Sequence, residues 1–198
     1  MANFLVTGGA GFIGSHIVER LVKDGQSVRV LDDFSSGKRS NLEPFASKIE
    51  VLEGDLRRPS DCKQACADID IVFHEGAVPS VPKSVADPVT SHQANVDGTF
   101  NILLAARDAK CKRLIFAASS SAYGDLPELP KRRDGVSVAF ESVCGCQACR
   151  RVLSACVLSL LRTRDVVASL FQRVRSASGS QEPVCGCHSG VRVGGFEG

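Results

Sequence analysis

Gly9, Gly11 and Gly14 stand in a Gly-x-Gly-x-x-Gly spacing between an apolar run and a stretch of helical periodicity. Asn3-Phe-Leu-Val-Thr7 reads as a buried parallel strand. Phe12, Ile13, Ile17, Leu21 and Val22 recur at helical spacing, with Gly25 as the C-cap. Glycines at these positions permit a tight turn and close approach of the backbone to a pyrophosphate. The helix that follows offers unpaired N–H groups and a partial positive charge to the phosphates. The spacing alone is weak, because glycine-rich turns are common. Here a strand, a helix and an acid agree. Asp32 closes the second strand, Ser27-Val-Arg-Val-Leu31, about 20 residues on. A carboxylate there accepts both ribose hydroxyls and repels a 2′-phosphate, which favours NAD over NADP. Asp33 is the weaker candidate for that role, and a turn or cap is the alternative role for Asp32.

Three further strands alternate with helical stretches: Ile49–Leu52, Asp70–His74 and Arg113–Ala117, with helices over Asp61–Ala67 and Val96–Ala109. This alternation predicts an α/β fold, a doubly wound parallel sheet. The net charge of +2 gives no reason to expect nucleic acid or an anionic membrane surface. No apolar run approaches the roughly 18 residues of a membrane span, and the first residues are too short and too lightly charged for a signal peptide. The expected location is the cytoplasm.

The order of short blocks is more specific. Thr7-Gly-Gly-Ala-Gly-Phe-Ile-Gly-Ser-His16, Leu31-Asp-Asp-Phe-Ser-Ser-Gly37, Gly54-Asp-Leu56, Phe73-His-Glu-Gly-Ala77, Asn95-Val-Asp-Gly-Thr99 and Ser119-Ser-Ser-Ala-Tyr-Gly-Asp125 follow one another. Together they resemble the extended short-chain dehydrogenase/reductase family, in particular its UDP-glucose 4-epimerase-like enzymes, over about the first two thirds of the chain. The resemblance implies a Rossmann-like domain with NAD held by Gly8, Gly11, Phe12, Ile13, Gly14, Asp32 and Asp33. It places Asp55 and Leu56 by the adenine, Glu75, Gly76 and Ala77 along the pyrophosphate and ribose, and Asn95 on the cofactor side of the site. One of Ser119, Ser120 and Ser121 would supply the catalytic hydroxyl. Counting back from Tyr123-Gly124 favours Ser119, while a block one residue shorter than usual keeps the other two open. The implied substrate is a nucleotide sugar, a UDP-sugar by the nearest resemblance, and the implied assembly a homodimer. The implied chemistry is hydride transfer from the sugar C4 to NAD and its return to the other face. Three serines, where related dehydratases usually carry Thr-Asp-Glu, suit epimerases and decarboxylases better; a dehydratase or decarboxylase of the same family is the alternative.

That chemistry needs a base. The family supplies it as Tyr-x-x-x-Lys, in which the lysine lowers the tyrosine pKa. Tyr123 is the single tyrosine in the chain, and Pro127 stands four residues later, so the motif is absent. Tyr123 matches the family's structural Tyr-Gly pair instead.

Composition breaks where the motif should be. Residues 1–131 hold three cysteines and all eight lysines, whereas 132–198 hold six cysteines, nine arginines, and no lysine, isoleucine, asparagine, tyrosine or methionine. A shifted reading frame from about Lys131–Arg133 accounts for the change. Read one base later, the codons of Ser142 to Ser154 can encode PYAVAKLAGEYY, which restores the motif across Val143 to Ala148. Arg162–Asp165 can give GLET, and Ala168–Ser180 can give LRYFNVFGPRQD. One offset serves about forty residues. The expected organisation is a truncated Rossmann-like domain over 1–131 and an out-of-frame or disordered tail over 132–198, irregular or partly helical around Val152–Leu161. Arg113–Ala117 is then expected to be an exposed sheet edge, and the chain inactive as an epimerase. The competing reading takes the tail as genuine: Cys144, Cys146, Cys149, Cys185, Cys187 and His188 would offer zinc ligands, in a non-catalytic NAD- or zinc-binding interaction protein.

Overall fold

The computed structural model describes residues 1–78, 80–117 and the short strand at 169–170. The expectations placed on Ser119, Ser120, Ser121, Tyr123, Val152–Leu161 and the cysteine-rich tail lie outside these residues. Six parallel strands form one sheet: β1 (Asn3–Thr7), β2 (Ser27–Asp32), β3 (Ile49–Glu53), β4 (Ile71–His74), β5 (Arg113–Ala117) and β6 (Ser169–Leu170). Their order is β3-β2-β1-β4-β5-β6. The chain winds outward from β1 to β3, then crosses back to place β4 on the other side of β1. The crevice outside the carboxyl ends of β1 and β4 is therefore the topological switch point, where sheets of this kind bind ligands.

Alternation along each strand builds two cores. Leu5, Leu31, Val72, Leu114 and Phe116 point to one face, where they meet Cys62, Ala65 and Cys66 of α2 (Pro59–Cys66) and Ile102, Leu103, Ala105 and Ala106 of α5 (Gly98–Asp108). Val6, Val28 and Val30 point to the other, against Val18 and Leu21 of α1 (Phe12–Lys23) and Leu42. Each fully buried aliphatic side chain contributes about 1.5–3 kcal/mol of transfer free energy. Helices on both faces make the sheet doubly wound. α1 ends as its sequence predicts: Gly25 takes φ +70°, and Gly25 and Gln26 donate to the carbonyls of Val22 and Leu21.

Three findings depart from the sequence reading. Two short helices, α3 (Val81–Ala86) and α4 (Pro88–His92), precede α5. Their starts carry a legible signal, a capping residue followed by proline in the first turn: Ser80 accepts from the Lys83 N–H, and Asp87 from the Thr90 N–H. The helix expected from Val96 begins instead at Gly98, after a wide π-type turn over Gln93–Asp97. The exposed edge expected at β5 is covered in part, because β6 pairs with its last two residues, Phe116 opposite Ser169 and Ala117 opposite Leu170. A strand edge is recognised through backbone N–H and C=O groups, which any non-proline segment can match. No helix among the described residues is long and apolar enough to cross a membrane.

Candidate cofactor-binding site

The glycine loop is shaped by what a Cβ would strike. Gly8 has φ +67°, and a Cβ on it would come within 2.8 Å of the Gly76 backbone. A Cβ on Gly14 would collide with the Gly8 carbonyl and approach the Gly9 Cα to 2.7 Å. The loop is thus pressed onto segment 75–76 on one side and onto the start of α1 on the other. Gly11 caps α1 without a side-chain hydrogen bond, and the first turn carries no acid. The leading N–H groups of the helix are left for an anion. Phe12 is exposed and meets the edge of His16, with centroids 4.9 Å apart; Ile13 is half-buried.

The structure separates the two acids at the end of β2. Asp32 is buried, and its carboxylate accepts the Ala10 N–H and the Phe34 N–H, each at 2.9 Å. Burial pushes its carboxyl above the ordinary range; the two N–H groups pull it back, and the neighbouring Asp33 charge adds to the rise. Asp33 is exposed and turned to its own loop, accepting from the Ser35 N–H and hydroxyl. Phe34 holds a left-handed backbone, φ +56°, under the guanidinium of Arg39, 3.9 Å from the ring centroid. Of the two acids, Asp32 is the one bonded to the glycine loop.

The remaining predicted residues line the same edge. Arg57 grips the Asp55 carboxylate, Nε to Oδ2 at 2.8 Å and an Nη to the same oxygen at 2.6 Å, and holds its carboxyl below the ordinary range. Leu56 packs between Gly76 and Gly98, where a Cβ would approach it to 2.6 and 2.9 Å. The Glu75 N–H donates to the Thr7 carbonyl and the Gly76 N–H to the Thr7 hydroxyl; Ala77 is half-buried. Asn95 is fully buried, and its side chain bonds both the N–H and the carbonyl of Val78, at 2.8 and 3.1 Å. Sequence reading missed Thr7, His74 and Thr99 as a buried polar set at this edge. Thr7 and His74 sit inside the quoted blocks, but nothing local marks their side chains as partners.

A cradle that side chains would fill, an uncapped helix start and a buried acceptor beside them fit a dinucleotide. A family model described as the NAD dependent epimerase/dehydratase family matches residues 4–169. The chain belongs to this family. A UDP-glucose 4-epimerase of Lactobacillus helveticus is 39% identical over 132 residues, 66% of this chain and 39% of the relative. A UDP-N-acetyl-alpha-D-glucosaminuronate decarboxylase of Bacillus cytotoxicus is 38% identical over 120 residues, 61% of this chain and 37% of the relative. The solved UDP-glucose 4-epimerase of Thermus thermophilus, in complex with NAD, superposes with TM-score 0.77 at 32% identity, covering 85% of this chain and 55% of that one. The chain spans about two fifths of the length of these curated relatives.

Proposed function

We propose that the chain is the NAD-binding half of a UDP-sugar epimerase. The observation that carries this reading is the buried Asp32 carboxylate, bonded to the Ala10 N–H beside the open start of α1. Asp32 takes the adenosine ribose, Gly8, Gly11, Phe12, Ile13 and Gly14 take the pyrophosphate, and Asp55 and Leu56 border the adenine. Gly76, Ala77 and Asn95 support the segment that runs alongside. Bound NAD would supply a reversible hydride acceptor for the sugar. The hydroxyl among Ser119, Ser120 and Ser121 belongs to the same reading, as does the absence of a Tyr-x-x-x-Lys base. The 198-residue chain accordingly binds cofactor and does not epimerise. The missing base is encoded in the next reading frame beyond about residue 131, and the nucleotide sequence across those codons tests that directly.

Titration of the purified chain with NAD and with NADP in a calorimeter tests the cofactor reading. NAD binds, NADP binds more weakly, and Asp32→Ala loses the preference. A folded chain that takes up no NAD overturns it.

A further inference from the structure

The switch point carries buried polar side chains that the cofactor reading does not use. Thr7 and His74 are register partners at the carboxyl ends of β1 and β4, and Thr99 sits in the first turn of α5. All three are fully buried. His74 Nδ1 lies 2.7 Å from the Thr7 hydroxyl, and its Nε2 lies 3.0 Å from the Thr99 hydroxyl.

Two further bonds give each proton a direction. The Thr99 hydroxyl is 2.7 Å from the Asn95 carbonyl oxygen. A carbonyl can only accept, so the one hydroxyl proton of Thr99 goes there. His74 Nε2 therefore donates to Thr99. At the other end the Gly76 N–H donates to the Thr7 oxygen at 3.1 Å. With the ring neutral, Nδ1 carries no proton and accepts that of Thr7. These bonds form one line of donation from the Gly76 N–H through Thr7, His74 and Thr99 to the Asn95 carbonyl, with the neutral ring in its Nε2–H tautomer. Asn95 closes the circuit, since its side chain bonds back to Val78. Phe116 lies nearly parallel to the His74 ring, at 29° and 5.9 Å between centroids.

We propose, resting on the cofactor reading above, that His74 is a positioning residue. It fixes segment 75–78, which runs alongside the bound dinucleotide, to the turn over Gln93–Asp97. Gly76 is held at one end of the circuit and Val78 at the other, two residues apart, so this backbone is placed before any ligand arrives. A core histidine serving stability alone would lower the melting point when replaced and leave the affinity of the folded protein unchanged.

Two measurements on the full chain test this. Long-range proton–nitrogen correlation of the labelled imidazoles, with His74→Phe to identify the signal, should show a protonated Nε2 and a bare Nδ1; the opposite tautomer overturns the relay. Calorimetric NAD affinities are then compared for His74→Phe, Thr99→Val and the double variant. Leaving buried polar groups unpaired at one link should weaken NAD about tenfold. Thr99→Val should cost less in the His74→Phe background than alone, because its link to Gly76 runs through the ring while its bond to the Asn95 carbonyl does not. Unchanged affinity in the folded variants, or strictly additive losses, overturns the proposal. Should His74→Phe fail to fold, Thr99→Val, which keeps the ring, carries the affinity comparison. A wild-type chain that binds no NAD overturns the cofactor reading and the positioning role with it, whereas loss confined to the variants' coupling overturns only the latter.

Discussion

Asp32 and Ala10 stand 22 residues apart in sequence and are joined by a 2.9 Å hydrogen bond, carboxylate to backbone N–H, that ties the end of β2 to the glycine loop. The other oxygen of the same carboxylate holds the Phe34 N–H. One buried side chain thereby fixes two loops whose meeting line borders the position proposed for the ribose.

Asp32→Ala should weaken NAD binding by more than tenfold and lower stability by about 1–3 kcal/mol, the cost of leaving buried N–H groups unpaired. Asp32→Asn keeps an acceptor for Ala10, so it should retain most of the stability while losing affinity. Because burial raises the Asp32 carboxyl, the folded state binds a proton more readily than the unfolded chain. On this group's account stability falls as pH rises between its ordinary value and its raised one. The Asp32→Asn variant should lack that component in thermal melts followed across the acid range.

The glycines should differ sharply in their tolerance of alanine. Gly25→Ala meets open space but must hold φ +70°, a cost of about 1 kcal/mol. It should leave NAD affinity intact. Gly14→Ala drives a methyl group into the Gly8 carbonyl and the Gly9 backbone. Backbone cannot swing aside as a side chain does, so the loop must open, and NAD binding should be lost. Denaturant melts and calorimetry on the two variants separate the effects.

Acid should weaken the Asp55–Arg57 pair. The guanidinium holds the Asp55 carboxyl below its ordinary value, so the pair's contribution is complete above that value. It is lost as pH falls through the lowered one. Arg57→Ala should cost at most about 1 kcal/mol near neutrality, since the pair is partly exposed, and nothing once both forms are protonated. Melting points of the variant and the parent should converge on acidification.

Of the three cysteines within the described residues, Cys111 should be alkylated first in the native protein. Burial, with the charges of Asp61 and Asp55, pushes the Cys62 thiol up to about 12. Hydrogen bonding to Cys111 and burial push Cys66 up as well, while the same bond, received from Cys66, lowers Cys111. Thiolate is the reactive form, and Cys111 is only half-buried. Pulsed alkylation with peptide mapping should find Cys62 and Cys66 labelled only after unfolding.

The five main strands, the fold class and the place of the glycine loop between β1 and α1 were legible in the sequence, because they rest on local signals. A strand needs alternating or continuous apolar residues within five or six positions, and a phosphate loop needs glycines at fixed offsets before a helix. Asp32 was placed by its distance from that loop. What separated Asp32 from Asp33 was three-dimensional: one carboxylate reaches Ala10 across the sheet edge, and the other turns back to Ser35. Likewise, the pairing of β6 with β5, the bond from Asn95 to Val78, and the meeting of Thr7, His74 and Thr99 join residues 17 to 67 positions apart. No spacing rule reports such contacts, because a hydrogen bond across strands depends on register and on which side of the sheet each side chain emerges. The sequence by itself determined that a doubly wound parallel sheet would form and where its glycine loop would stand. Packing alone decided which buried polar groups became partners, since only the folded core removes the water that would otherwise have satisfied each of them.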